Sequence, residues 1–295
     1  MLYHYTSVEA LKSILHDGVS NKGLCFWATR FDCFSDENEY RLGINTIKRL
    51  LPRLEERIRP NRRISSSFVW EDINGNVTLP LPYIVSFTDR FDNDYMWVHY
   101  GCNGSGVVLA LDDSEKIVNE YTEDIVVKKC LYLGSTSDDD LYKEIENEFF
   151  NAAFSALTGP QKELAFGILS TSPQAFMALI GRYLLSYVAP RIKGSSFNEE
   201  DETRAILVFQ RKEMEQFYTQ FDGVVKSMGI DAVHLLEKIK GEKMRVRPNG
   251  ETVYYHEMYL PSRVLARVYV KDHSLIEPVR IILQSKTVDV KVCLI

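Results

Sequence analysis

The segment from Phe197 to Arg204 places a group of ionisable side chains directly before an apolar run. It reads Phe-Asn-Glu-Glu-Asp-Glu-Thr-Arg and continues as Ala-Ile-Leu-Val-Phe, which is typical of a buried strand. In an extended chain the side chains alternate between two faces, so Glu200, Glu202 and Arg204 are expected on one face. Carboxylates held this close disfavour each other's ionisation unless a cation or a substrate relieves them. The pattern therefore indicates a site for proton or cation chemistry at the start of a strand.

A simpler interpretation of this segment stays open beside the chemical one. A solvated acidic turn in front of a strand, with Arg204 in a local salt bridge, would show the same residues. Taken alone, the segment favours this structural interpretation, because charge runs are usually solvated surface. A functional assignment therefore needs other residues that converge on the same place.

Two other short segments combine residue types that bind ligands. His4, Tyr5 and Thr6 stand at the predicted end of a strand and just before a helix, whose N-terminus attracts anions. Trp97 and His99 belong to the run Trp-Val-His-Tyr-Gly, which follows a Ser-Phe-Thr strand. A lone histidine is more often structural, and aromatic residues at this density are often core. Convergence of these segments with the acidic one would indicate a site.

The elements that must position these residues change in kind along the chain. Apolar periodicity predicts strands and helices up to residue 133, helices from 138 to 192, and strands again afterwards. A capping box of Thr6 and Glu9 is expected to start the first helix, and a long helix is expected at 39–58. Strands are expected at 3–5, 23–29, 68–73, 77–79, 83–88, 107–111, 125–133, 203–209 and 231–236, and in a hairpin around Asn249 and Gly250.

These elements favour an α+β fold in a single domain that covers residues 1–295. No repeat or low-complexity linker divides the chain, and strands without regular intervening helices favour mixed, largely antiparallel sheets over a doubly wound sheet. The helical stretch at about 138–192 is interpreted as an insert. Two basic stretches, at 48–63 and 238–247, are typical of a solvated helix face and of an exposed hairpin edge, and a nucleic-acid contact is the less favoured alternative.

Composition and charge argue against several classes of protein. The net charge of −6 argues against general coating of nucleic acid, and no uncharged apolar run reaches the length of a membrane span. The first residues lack the basic and then apolar pattern of a signal peptide, so a cytoplasmic protein is expected. The five cysteines are scattered and include no Cys-x-x-Cys pair, so neither a zinc site nor a disulfide framework is indicated.

The order of these segments along the chain resembles that of a known bacterial family. The motifs are Tyr-His-Tyr-Thr-Ser before a helix, Trp-Ala-Thr leading to Phe-Ser-Asp, Ser-Phe before Met-Trp-x-His-Tyr, and Phe-x-Glu-Glu-x-Glu-x-Arg. They are similar to the family catalogued as domain of unknown function 2971, over roughly residues 1–260. The chain departs from that family at Ser35 to Glu37, where Asn-Asp-Pro is common, and at Thr203, where an aromatic residue is usual.

The layout also resembles, more distantly, that of ADP-ribosyltransferases of the histidine-tyrosine-glutamate type and their phage-defence toxin relatives. That resemblance implies a cleft formed by the sheets, NAD as a substrate and no metal ion. Breaking the nicotinamide–ribose bond passes through an oxocarbenium-like transition state, which one fixed carboxylate can stabilise. The resemblance assigns this role to Glu202. It assigns Glu200 to orienting the incoming nucleophile or accepting its proton.

The same resemblance implies how NAD would be held. His4 would hydrogen-bond the ribose on the adenosine side, and Tyr5 or Trp97 would stack on nicotinamide or adenine. Arg204, like Arg30, would pair with a phosphate or hold Glu202 in place. The residues expected to contact NAD are His4, Tyr5, Thr6, Arg30, Trp97, His99 and Arg204.

The resulting hypothesis is an enzyme, an NAD-dependent ADP-ribosyltransferase that modifies a protein or nucleic-acid acceptor in bacterial stress or phage defence. A toxin of this kind would have a neutralising or regulatory partner protein. Two alternatives stay open. One is a non-catalytic sensor or binding domain, and the other is an NAD glycohydrolase that transfers nothing.

Overall fold

The structure of the protein, a computed structural model, describes residues 1–15, 23–34, 36–58, 82–112, 125–134, 137–154, 158–171, 183–207, 242–247 and 249–295. The hairpin expected at 68–79 and the strand expected at 231–236 lie outside these residues. So do Ser35 and the parts of the two basic stretches at 59–63 and 238–241.

The described strands account for most of the segments that the sequence pattern predicts as extended. The strands are β1 Leu2–Thr6, β2 Leu24–Arg30, β3 Tyr83–Thr88, β4 Val107–Leu111, β5 Ile125–Lys129, β6 Leu131–Leu133, β7 Ile192–Gly194, β8 Glu202–Leu207, β9 Lys243–Val246, β10 Thr252–Leu260, β11 Leu265–Val270 and β12 Lys291–Leu294.

Helices flank these strands, and two of them fall in the expected helical stretch at 138–192. The described α-helices are α1 Val8–Ile14, α2 Glu37–Ile58, α3 Asp94–His99, α4 Asp138–Phe154, α5 Gly159–Thr171 and α6 Ile276–Ser285. Single turns of other helix types include a π-helical turn at Leu184–Val188 and 3₁₀ turns at Phe31–Cys33, Ala189–Arg191 and Ser195–Glu200.

Ten of the described strands form one mixed sheet. Eight of them follow the order β12-β11-β4-β1-β3-β2-β10-β9, and β8 pairs with both β3 and β5. Every pairing in this sheet is antiparallel except that of β11 with β12. Strands β6 and β7 form a separate parallel pair. The predicted α+β class with mixed, largely antiparallel sheets is therefore confirmed.

The sheet branches at β3. One edge of β3 pairs with β8 along its full length, from Tyr83 opposite Leu207 to Thr88 opposite Glu202. On the other edge the first two residues of β3 pair with β2, whereas its last residue pairs with β1. Strands β1 and β2 thus share one edge of β3 and separate between these two points. In the gap, the backbone carbonyl oxygen of Ser86 accepts a hydrogen bond from the side chain of His4 on β1.

Helix α2 is fixed by a second apolar core that lies apart from the core under the sheet. Ile44, Ile47, Leu51 and Leu54 are spaced so that they share one helix face, and they pack against α4 and the segment before β7. At Gly43 a Cβ would come within 2.3 Å of the carbonyl oxygen of Ala189, so only glycine permits this approach. This contact holds the first half of α2 next to the turn that leads into β7.

Several boundaries differ from the prediction for local reasons. The cap of α1 is Ser7, whose hydroxyl accepts a hydrogen bond from the Ala10 amide, whereas Thr6 ends β1, so the predicted capping box of Thr6 and Glu9 is wrong. Helix α2 begins at Glu37 and continues through Pro52, since its apolar face is packed on both sides of the proline. No helix in the described part of the chain has the length and apolar character needed to cross a bilayer.

Candidate functional site

A cavity of about 280 Å³ lies where β1 and β2 separate along β3. Its walls include residues 3–5 of β1, Trp27 and Thr29 of β2, residues 84–87 of β3, and Tyr100 after α3. The acidic side chains of Glu200 and Glu202 line the same cavity. The two predicted segments that are farthest apart in sequence therefore meet at one place.

The turn before β8 directs both glutamates into this cavity. Glu200 ends the 3₁₀ turn rather than beginning the strand, and Asp201 has a left-handed backbone with φ of 43°. Aspartate is one of the few residues that tolerate this region. The Thr88 hydroxyl fixes the turn by donating to the carbonyl oxygen of Glu200 at 2.7 Å. The expected shared face is thus present for Glu202 and Arg204 through strand periodicity, but Glu200 reaches it through the turn.

Lys193 joins the two glutamates. Its ammonium nitrogen lies 2.6 Å from Oε2 of Glu200 and 2.7 Å from Oε2 of Glu202. It also lies 3.8 Å from a carboxylate oxygen of Glu39, at the start of α2. All four side chains are less than a tenth exposed. Lys193 was not among the predicted site residues, and it is the central cation of the site.

Arg204 binds Glu202 from the other side. Its Nε lies 2.8 Å from Oε1 of Glu202 and its Nη2 lies 3.0 Å from Oε2, which is the bidentate geometry that suits guanidinium and carboxylate. The same guanidinium donates to Glu39 and to the carbonyl oxygen of Pro190. Of the two roles predicted for Arg204, the contacts fit the holding of Glu202. We refer below to Glu39, Lys193, Glu200, Glu202 and Arg204 as the buried charge cluster.

Two tyrosines complete the hydrogen bonding of the acidic turn. The Tyr100 hydroxyl donates to Oε1 of Glu200 at 2.8 Å, and the Tyr132 hydroxyl accepts from the Glu202 amide at 2.8 Å. Burial, followed by the adjacent Glu200 charge, raises the pKa of Tyr100 well above its ordinary value. Tyr100 therefore stays protonated and remains a donor over the physiological pH range.

The cations keep Glu202 ionised although it is buried. Burial alone would raise the pKa of this carboxyl, but the charges of Arg204 and Lys193 and their hydrogen bonds outweigh burial and lower its pKa to about 2. In turn, the surrounding carboxylates raise the pKa of Lys193 and of Arg204 in spite of burial, which would lower both. The site thus holds a permanent carboxylate at neutral pH.

The ionised Glu202 makes stability depend on pH in the acid range. Because its pKa falls from an ordinary 4.5 to about 2 in the folded protein, its contribution is complete above pH 4.5 and is lost as the pH falls towards 2. We expect this carboxyl to account for a loss of about 2 kcal/mol in unfolding free energy between about pH 5 and pH 3. Urea unfolding at both pH values, compared between the wild type and Glu202→Gln, measures this share. Equal losses in the two proteins would contradict the assignment.

His4 stands at the gap between β1 and β2. Its Nδ1 lies 2.9 Å from the carbonyl oxygen of Ser86, and because a carbonyl only accepts, Nδ1 carries a proton. Burial lowers the pKa of the imidazole, against the effect of this hydrogen bond, so Nε2 is left as an acceptor. The rings of Phe26 and Phe87 pack edge-on against the imidazole. A neutral, fixed imidazole of this kind can accept a hydrogen bond from a ligand hydroxyl.

Of the other predicted aromatic residues, Tyr5 lines the cavity, whereas Trp97 and His99 do not. Tyr5 lines the cavity, and its hydroxyl accepts a hydrogen bond from the Asn93 amide at 3.0 Å. Trp97 is only 1% exposed and packs edge-on behind Tyr5 at 5.2 Å, outside the cavity lining. His99 is exposed on α3 and contacts Tyr95, also outside the lining. Direct stacking of Trp97 or His99 on a ligand in this cavity therefore does not fit their positions.

Arg30 and Thr6 also lie outside this cavity. Arg30 is paired with Asp32 at 2.6 Å and with Glu242 at 3.2 Å, and its guanidinium covers the ring of Tyr254. These contacts engage the Arg30 guanidinium, which was expected to bind a phosphate. Thr6 instead lines an adjoining cavity that shares His4 as a wall.

A family described as a protein of unknown function, DUF2971, matches residues 96–205, the part of the chain that contains Tyr100, Lys193, Glu200 and Glu202. No curated protein and no solved structure matches the chain. The predicted resemblance to this family is therefore confirmed over residues 96–205, a shorter part of the chain than the residues 1–260 that the motifs predict.

Proposed function

We propose that the protein breaks the bond between nicotinamide and ribose in NAD and transfers the ADP-ribose group to a protein or nucleic-acid acceptor. The observation that carries this proposal is the meeting of His4 with Glu200 and Glu202 in one cavity. An imidazole that can accept a hydrogen bond from a ribose hydroxyl and two carboxylates that line the same cavity are components that glycosidic bond cleavage can use.

The chemistry assigns a separate task to each glutamate. The C1′–N bond breaks and nicotinamide leaves with the electron pair, so positive charge develops on the ribose. Glu202, which is ionised and held by Arg204 and Lys193, stabilises that charge. The acceptor oxygen or nitrogen then forms a bond to C1′, and its proton passes to Glu200. Nicotinamide and the modified acceptor are the products.

The balance of charges around the cavity favours a ligand with a positively charged group. The buried charge cluster contains three acidic and two basic groups. Arg247 also lines the cavity, but its charge is balanced by Glu251 at 2.7 Å. The aromatic rings of Tyr3, Tyr5 and Trp27 stand in the walls, and aromatic faces attract cations. The positively charged nicotinamide ring of NAD suits such a lining.

One assay separates this function from its alternatives. Purified protein is incubated with NAD labelled in the adenine half, together with cell protein, RNA and DNA, and both free nicotinamide and bound label are measured. The proposal expects nicotinamide release and label on one class of acceptor. Nicotinamide release with free ADP-ribose alone would identify a glycohydrolase. Neither product from folded protein would overturn the proposal.

A non-catalytic binding domain is the second candidate, and the contacts of Glu202 favour it. Both carboxylate oxygens of Glu202 are bound by cations, which reduces the charge that this residue can offer to a substrate. Calorimetric binding of NAD without any turnover would support this candidate. The setting that we propose for either function is the bacterial cytoplasm, in stress or phage defence, with a neutralising or regulatory partner.

A further inference from the structure

A second cavity, of about 370 Å³, adjoins the first. It lies between α1 and β2, and it shares His4, Trp27 and Val85 with the first cavity as common walls. Small-molecule sites usually measure about 300–1,000 Å³, so either cavity alone is near the lower limit. A dinucleotide is long, and it would need both cavities.

Arg245 on β9 lines the second cavity and differs from the other arginines near the site. It forms no hydrogen bond or ion pair with any residue that the structure describes. Its guanidinium carbon lies 5.2 Å from the centre of the Trp27 ring. Arg30, Arg204 and Arg247, in contrast, are each bound to carboxylates. Arg245 therefore has its hydrogen-bond donors available.

Among the described residues, no acidic side chain pairs with the charge of Arg245. Burial, followed by repulsion from Arg247, lowers the pKa of Arg245. Arg247 follows directly after β9 and lies close enough to Arg245 for the two positive charges to repel each other. The one acidic residue in the wall of the second cavity, within the described residues, is Glu9, which pairs with Lys12 at 3.1 Å. An anion beside Arg245 would relieve this excess of positive charge.

Trp27 connects Arg245 with the first cavity. The indole is 40% exposed, which is unusual for so large an apolar side chain, and its ring lies 4.8 Å from that of Tyr255. Tyr255 and Arg245 thus fix the indole, which remains accessible from both cavities. An exposed, fixed aromatic ring of this kind is suited to stacking on a base.

We propose that the two cavities form one groove for a dinucleotide, in which Arg245 binds the pyrophosphate and Trp27 stacks on a base. This inference rests on the proposed function, because it takes NAD as the ligand. It places the glycosidic bond beside Glu202 and the phosphates on the opposite side of His4. An arginine guanidinium can donate two parallel hydrogen bonds to one phosphate, which fits Arg245, whose donors bind no described residue.

Binding of two NAD fragments tests this inference without any need for turnover. ADP-ribose contains the pyrophosphate, whereas nicotinamide riboside contains no phosphate. Dissociation constants for NAD, ADP-ribose and nicotinamide riboside are measured by calorimetry for the wild type, Arg245→Gln and Arg245→Lys. Arg280→Gln on α6 is the matched control, since it removes the same charge outside both cavities.

We expect Arg245→Gln to weaken the binding of NAD and of ADP-ribose about tenfold to a hundredfold, which is the usual effect of losing a hydrogen bond to a charged group. Arg245→Lys should lose less of this affinity. Nicotinamide riboside should bind the wild type and both Arg245 variants with equal affinity. Equal NAD affinity in the wild type and Arg245→Gln would overturn the groove, even if NAD is cleaved. Binding of ADP-ribose that depends on Arg245, without any nicotinamide release, would support the groove and overturn the proposed function. A wild type that binds none of the three ligands would overturn both.

Discussion

Lys193→Met is expected to lower the free energy of unfolding by about 3–5 kcal/mol, the usual effect of removing one partner from a buried ion pair. The substitution keeps the length of the side chain but leaves Glu200 and Glu202 without the ammonium that lies 2.6 and 2.7 Å from them. Both carboxylates are almost fully buried, so water compensates for the lost cation less well than it would at the surface. Urea unfolding followed by circular dichroism measures the loss.

Two further variants separate the charge effect from a change of packing. Lys12→Met removes the same group from an exposed pair with Glu9 and should change stability by less than about 1 kcal/mol. In the second variant, Glu200→Gln is added to Lys193→Met, which removes one buried negative charge and should restore part of the lost stability. If Lys193→Met were as stable as the wild type, the buried charge cluster would not have the energetic role that its distances indicate.

Glu202→Gln is expected to lower NAD cleavage by about a hundredfold to a thousandfold, the usual effect of losing one preorganised group that stabilises transition-state charge. The glutamine amide has the shape of the carboxylate but no negative charge to stabilise the positive charge that develops on the ribose. Nicotinamide release under saturating NAD measures the change. Glu200→Gln should retain some release of nicotinamide and lose transfer, since its proposed task concerns the acceptor.

Glu39→Gln is the matched control for this effect. Glu39 belongs to the same cluster and binds Arg204, so its loss disturbs the same network, but the proposed mechanism gives it no chemical step. Circular dichroism of each variant shows whether it is folded. Full activity in Glu202→Gln would mean that another acid performs the reaction. Equal loss in Glu39→Gln and Glu202→Gln would mean that the network as a whole, rather than one carboxylate, is required.

The sequence could predict the components of the site that follow from local patterns. The period of two places Glu202 and Arg204 on one face, and the short strand around His4 is present as expected. The same rule gave the right location for Glu200 for a wrong reason, because the left-handed backbone at Asp201 interrupts the strand. Turn conformations of this kind depend on contacts such as that with Thr88, which lies more than a hundred residues earlier.

The residues that sequence reasoning missed depend on long-range packing. Lys193 follows the apolar segment that ends in Ala-Pro-Arg-Ile, and a lysine next to such a segment is the one available signal of a buried cation. Glu39 stands among several acidic residues and carries no signal of its own. Trp97 was assigned to a ligand because of its type, but burial behind Tyr5 decided its position. The packing of α2 beside β7 determines which of these charged side chains form ion pairs.

The branch of the sheet at β3 also has a consequence for the order of protein synthesis. The ribosome delivers β1, β2 and β3 first, whereas Lys193, Glu200 and Glu202 follow more than a hundred residues after the end of β3. Joining β8 to β3 closes a loop of more than a hundred residues, which is a slow step in folding. A nascent chain that stalls before residue 193 therefore contains His4 but neither of the two acids proposed for catalysis, so the proposed site is complete only after β8 has been synthesised.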